Sequence, residues 1–163
     1  MNLSEMISFP AEPDQVAELL ADPEFVRARC AATGSLDSEV DVSHEDSGGF
    51  TVTTTRTFPT DSFPAFARSA VGDRLTVRQE DRWEPAGDGV WTGHTTVSTV
   101  GVPARVEARL RLAAGVGGAT QTIEGQISAS IPFLGGKIEE MVHEQVTEAL
   151  EVERRLAGEW LTR

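Results

Sequence analysis

The sequence contains no tyrosine and a single cysteine, Cys30. Without a phenol there is no tyrosine acid or base to consider, and a lone cysteine cannot close a disulfide within the chain. Positive charge is scarce as well: 14 Lys and Arg stand against 26 Asp and Glu, a formal net charge of −12. An acidic balance spread along the chain repels phosphate backbones and anionic headgroups, which argues against nucleic acid and acidic membrane surfaces as partners. No window nears the roughly 18 consecutive apolar residues of a membrane-spanning helix. The longest mild stretch, Leu110 to Ala119, is interrupted by Arg111 and glycines. Met1 to Glu5 has neither a basic nor a long apolar region, so no secretory leader is expected. With one unpaired cysteine, this reads as a reducing, cytoplasmic protein.

What is present suits a single domain spanning residues 1–163, with 39% hydrophobic and 25% charged residues. At this length about two thirds of the unfolded chain's surface can be buried, so neither disulfides nor a metal is needed for stability.

The segment Asn2 to Phe9 alternates apolar and polar residues and stops at Pro10, which predicts a strand. Pro13-Asp14 opens a helical pattern carried by Val16, Leu19 and Leu20. Asp22-Pro23, a capping residue followed by proline, restarts a helix with Phe25, Val26 and Cys30 before Gly34. From Leu36 to Ile131 the period falls to two, with turn residues separating the runs Val40/Val42, Phe50–Phe58, Leu75–Trp83, Val90–Val100, Val102–Leu112 and Ile123–Ala129. This is a meander of six strands. Pro132 to Leu161 reads as one helix with an apolar stripe through Leu134, Ile138, Met141, Val142, Gln145, Ala149, Val152, Leu156 and Trp160. A coiled coil is the alternative, but sustained heptads are absent.

The order strand, two helices, six strands and a long helix predicts an α+β fold: a curved antiparallel sheet of about seven strands, with the C-terminal helix packed across it. A curled sheet and a straight helix leave space between them, so a cleft walled by the inner strand faces is expected.

The element order, together with Gln126-Ile127-Ser128-Ala129-Ser130-Ile131-Pro132-Phe133-Leu134-Gly135-Gly136-Lys137-Ile138-Glu139, resembles the START-like (helix-grip, polyketide cyclase/lipid-transport) superfamily. More narrowly, Phe63-Pro64, Val71-Gly72, the strand ending in Trp83 and the terminal Glu159-Trp160-Leu161 look like an uncharacterised bacterial family of unknown function within it. The superfamily resemblance implies a cavity for a hydrophobic ligand. The narrower one implies no activity.

Several residues are candidates for lining that cavity. Thr54 and Arg56 alternate with Phe50, Val52 and Phe58, and Gln79 and Asp81 alternate with Val77 and Trp83. Polar groups on otherwise apolar faces are informative: pointing inward, Arg56 and Asp81 would form a buried pair able to orient an amphipathic ligand. They would equally satisfy a pairing with each other or reach solvent at the strand ends. Ser62 to Gly72 reads as a short helix inserted in the meander, with Phe63 and Phe66 as a lid on the cavity or as a permanent plug. Ile127 and Ala129 on the last strand, and Ile138, Met141, Val142, Gln145 and Ala149 on the helix, supply the facing walls.

His94 in mid-strand is a candidate cavity acid or base, with an outward-facing side chain as the alternative. His44 and His143 are expected to meet solvent. His143-Glu144 begins a zinc-protease pattern but lacks its second histidine, so no metal is expected, and no cofactor motif is present. Cys30, beside Arg27 and Arg29, reads as a packing residue, and no nucleophile-elbow Gly-x-Ser-x-Gly occurs.

Three functions compete. The first is binding or carriage of a small hydrophobic or amphipathic molecule. The second is a cyclase or dehydratase using His94 or Asp81 in the same cavity. The third is a protein-interaction module with a filled core and an exposed apolar patch. A sizeable internal cavity favours the first two.

Overall fold

A computed structural model describes residues 1–163. One seven-stranded antiparallel sheet runs in the order β1-β7-β6-β5-β4-β3-β2. The strands are β1 (Asn2–Phe9), β2 (Asp37–His44), β3 (Phe50–Pro59), β4 (Arg74–Gly87), β5 (Val90–Thr99), β6 (Val102–Gly115) and β7 (Gly118–Ala129). Consecutive strands from β2 to β7 pair antiparallel, and β1 closes on β7 with Leu3 opposite Gly125. The fold is therefore α+β, with a curved sheet gripping a helix.

Alternation decides which face is inside. On β6, Ala104, Val106, Ala108, Leu110 and Leu112 are buried while Arg105, Glu107, Arg109 and Arg111 are exposed. Gly125 lies where β7 crosses this strand closely: a Cβ there would stand 1.9 Å from the Glu107 carbonyl oxygen, so only glycine fits.

Four helices accompany the sheet: α1 (Pro13–Leu20), α2 (Pro23–Ala32), α3 (Ala65–Val71) and α4 (Gly135–Leu161). As the sequence predicts, Asp22 caps α2, its Oδ1 accepting from the Glu24 N–H at 2.9 Å, with Pro23 as the first helical residue. α1 is tied to the sheet by Trp91, whose indole N–H donates to Asp14 at 2.8 Å. The main core joins Val16, Leu20, Phe25 and Val26 of α1 and α2 to the inner sheet face and to Ala157 of α4. At the C-terminal end of α4, Trp160 meets Phe25 edge-on with ring centroids 5.6 Å apart.

The last helix begins at Gly135, later than the sequence suggests, because Phe133 adopts φ +63° and cannot be helical. Its first turn packs directly on the end of β7. A Cβ on Gly135 would lie 2.7 Å from the Ala129 carbonyl oxygen. Around this contact a second, smaller core forms from Ala67, Ala104 and Ile138, with Phe66, Ala129 and Leu134 packed against it. α4 then runs about 40 Å across the sheet. No helix is long and apolar enough to cross a membrane.

Candidate functional site

Beyond the second core, α4 and the inner sheet face diverge and enclose a cavity of about 580 Å³. That lies within the roughly 300–1,000 Å³ range of small-molecule pockets. Of its 33 lining residues 19 are hydrophobic, so most of its wall gains nothing from contact with water. Val52, Val77, Trp83, Val97, Val106 and Leu110 form the sheet side, and Met141, Val142, Val146, Ala149 and Leu150 the helix side. The exposed lining residues Ala32, Gly34, Ser62, Gln145 and Glu148 mark the mouth, between the end of α2, the β3–α3 connection and the middle of α4.

Ten of the sixteen residues that the sequence nominates for this wall line it: Arg56, Phe63, Val77, Gln79, Asp81, Trp83, Met141, Val142, Gln145 and Ala149. Six do not. Phe66, Ala129 and Ile138 pack in the second core, where the first turns of α4 sit too close to the sheet to leave space. Ile127 belongs to the main core and Thr54 is buried on β3, and neither lines the cavity. His94 is exposed on the outer face, because Thr95 is the buried residue of that pair and neighbours on a strand point to opposite sides. The cavity therefore holds no histidine. Of the inserted segment, only Ser62 and Phe63 reach the wall.

One part of the wall is polar. Arg56 lies opposite Val77 and Asp81 opposite Val52, which separates the two by two inward positions, and Gln79 stands between them. They consequently do not pair directly. Arg56 Nη2 donates to Gln79 Oε1 at 2.9 Å, and Gln79 Nε2 donates to both oxygens of Asp81, at 3.1 and 3.0 Å. The Thr95 hydroxyl also donates to Asp81. The Arg56 guanidinium lies 5.5 Å from the ring centroid of Phe58.

Two helical side chains complete the cluster, and the sequence reading missed both as site residues. Arg29 of α2 and Glu153 of α4 line the cavity and form an ion pair, Nη1 to Oε2, at 3.4 Å. Their signal lay in helical spacing: Arg29 follows Phe25 and Val26 by four and three residues, and Glu153 sits four residues from both Ala149 and Ala157. Each is a charge on a buried stripe, which demands a partner. Gln121 and Thr95, also lining residues, alternate with Ala119 and Ile123 and with Gly93 and Val97.

Burial dominates the electrostatics. It is the largest influence on Glu153 and raises its pKa; Arg29 pulls the value down and Asp81 pushes it up, and the net shift is upward. For Arg29 burial works against the charge, but Glu153, Asp81 and Cys30 outweigh it and the net shift is upward, so Arg29 stays charged. Arg56 moves down, chiefly through burial and then through repulsion from Arg29. Three buried atoms find no hydrogen-bond partner in the protein: Arg56 Nε, Thr54 Oγ1 and Gln121 Oε1.

A curved antiparallel sheet gripping a long C-terminal helix around an apolar cavity defines the START-like class of fold. Solved structures agree. A STAR-related lipid transfer protein from Xanthomonas axonopodis superposes with a TM-score of 0.63 at 17% identity, over 99% of this chain and 86% of that one. A START superfamily protein from Mycobacterium smegmatis gives 0.60 at 9% identity, over 98% of each chain. Within this class, residues 5–161 match the family described as protein of unknown function (DUF2505), and the chain belongs to that family. It is 27% identical over 156 residues to the uncharacterized protein Rv0481c of Mycobacterium tuberculosis, covering 91% of this chain and 90% of that protein.

Proposed function

We propose that this protein binds or carries a small hydrophobic or amphipathic molecule in the cavity between the sheet and α4. The observation that carries this reading is the cavity itself: about 580 Å³, largely apolar, and open at one mouth. Burial of an apolar ligand there contributes roughly 25 cal/mol per Å², and the polar cluster on β3–β5 fixes the ligand's orientation. The lipid-transfer protein among the structural neighbours supports the same reading by analogy of fold.

Two features weigh against the rival functions. An interaction module would have a filled core. For an enzyme of the cyclase or dehydratase kind, His94 lies outside the cavity, and Asp81 already accepts three hydrogen bonds from Gln79 and Thr95.

Titration with the neutral fluorophore N-phenyl-1-naphthylamine tests the proposal. Saturable binding of about one probe per chain, lost in Ala149→Phe with the circular dichroism spectrum retained, is the expected result. No saturable binding, or full binding in a folded Ala149→Phe variant, contradicts it.

A further inference from the structure

We propose that the occupant of this cavity is a hydrophobic acid: an apolar body bearing one carboxylate, which is held at the Arg56 guanidinium. This inference rests on the cavity reading above and concerns the ligand's head.

Besides the exposed Glu148, four formally charged side chains line the cavity: Arg29, Arg56, Asp81 and Glu153. Three are provided for. Arg29 and Glu153 contact each other, and Asp81 accepts from Gln79 through both oxygens and from Thr95. Arg56 differs. Its one hydrogen bond goes to the neutral amide oxygen of Gln79, and its buried Nε–H has no acceptor. A half-buried guanidinium without a contacting anion is costly, and an arriving carboxylate would relieve that cost through a charge-assisted hydrogen bond. The downward pull of burial and of Arg29 on the Arg56 pKa points the same way.

The surroundings select a single negative charge. Asp81 is joined to Arg56 through Gln79 and Glu153 lines the same cavity, so a dianionic phosphate would meet two acidic side chains as well as one free guanidinium. A carboxylate matches the one available cation without that excess. The rest of the wall, Val77, Val97, Val106, Met141 and Val142 among others, accommodates the apolar body.

Displacement of bound N-phenyl-1-naphthylamine at neutral pH by dodecanoic acid, dodecanol and dodecyl phosphate, each below its aggregation threshold, tests the inference. In the wild-type protein dodecanoic acid should displace the probe at about tenfold lower concentration than dodecanol. Arg56→Met should abolish that preference while still binding the probe. Equal or tighter binding of dodecanol, tighter binding of dodecyl phosphate, or an acid preference that persists in Arg56→Met would each overturn it. The wild-type comparison requires no variant, so the inference can be overturned whether or not Arg56→Met folds. A protein that takes up no probe at all overturns the cavity reading instead, which separates the two failures.

Discussion

Arg29 on α2 and Glu153 on α4, 124 residues apart in sequence, meet at 3.4 Å in the interior with side chains only 10% and 11% exposed. The pair fastens the C-terminal helix to α2 within the cavity wall. Its two members depend on each other, because a buried charge stripped of its partner keeps its full desolvation cost.

Glu153→Ala alone should therefore destabilise the fold by about 3–5 kcal/mol in urea unfolding. The double variant Arg29→Met with Glu153→Leu, which replaces both charges by apolar groups of similar size, should come within about 1 kcal/mol of wild type or exceed it. A single variant as stable as wild type would show that the pair is solvated and not a structural tie.

The same glutamate gives stability a pH dependence of definite sign. Its folded-state pKa is raised above the ordinary 4.5, so the folded state holds the proton more tightly than the unfolded one. Glu153's contribution is thus fully present below the unfolded value and is lost as pH rises through the folded value. Measured against Glu153→Gln across the acid-to-neutral range, wild type should lose relative stability as pH rises. A relative gain over that range would mean that Arg29 outweighs burial.

How much of this was legible beforehand differs between fold and site. The strands of the meander could be read because on β6 five apolar residues alternate with four charged ones, a pattern only a half-buried strand uses. The start of α4 could not, since nothing local marks Phe133 as the residue with positive φ that holds the helix back. Within the site, Arg56, Gln79 and Asp81 were visible as polar residues interrupting apolar faces. On β5 the same logic had no purchase: Gly93, Thr95, Val97 and Thr99 alternate with His94, Thr96 and Ser98, so neither face is distinctly apolar and the direction of His94 was undetermined. Arg29 and Glu153 acquire their role only when α2 and α4 are brought together, which is information about tertiary packing.

Two alanines that look equivalent in sequence should behave differently. Ala149 faces the cavity, so Ala149→Phe fills open space and should weaken probe binding at least about tenfold with little change in unfolding midpoint. Ala129 is packed in the second core beside Gly135, so Ala129→Phe should leave the cavity open but cost about 1–3 kcal/mol through overpacking. Thermal unfolding with probe titration on both variants checks the contrast, and the reverse pattern would misplace the cavity.

Thr54 offers a stabilising change. Its hydroxyl is buried, 1% exposed as a residue, and has no partner in the protein. Thr54→Val keeps the shape and removes the unsatisfied group, which should raise stability by about 1 kcal/mol. A loss of similar size in urea unfolding would show that the hydroxyl is engaged.

If the cavity between sheet and α4 carries a small hydrophobic molecule, native mass spectrometry of the protein after incubation with a total bacterial lipid extract, followed by denaturation and analysis of what is released, should reveal it. The expected result is a species heavier than the bare chain by one small, organic-extractable molecule, absent from Ala149→Phe. A wild-type protein that remains at the mass of the bare chain throughout would contradict it.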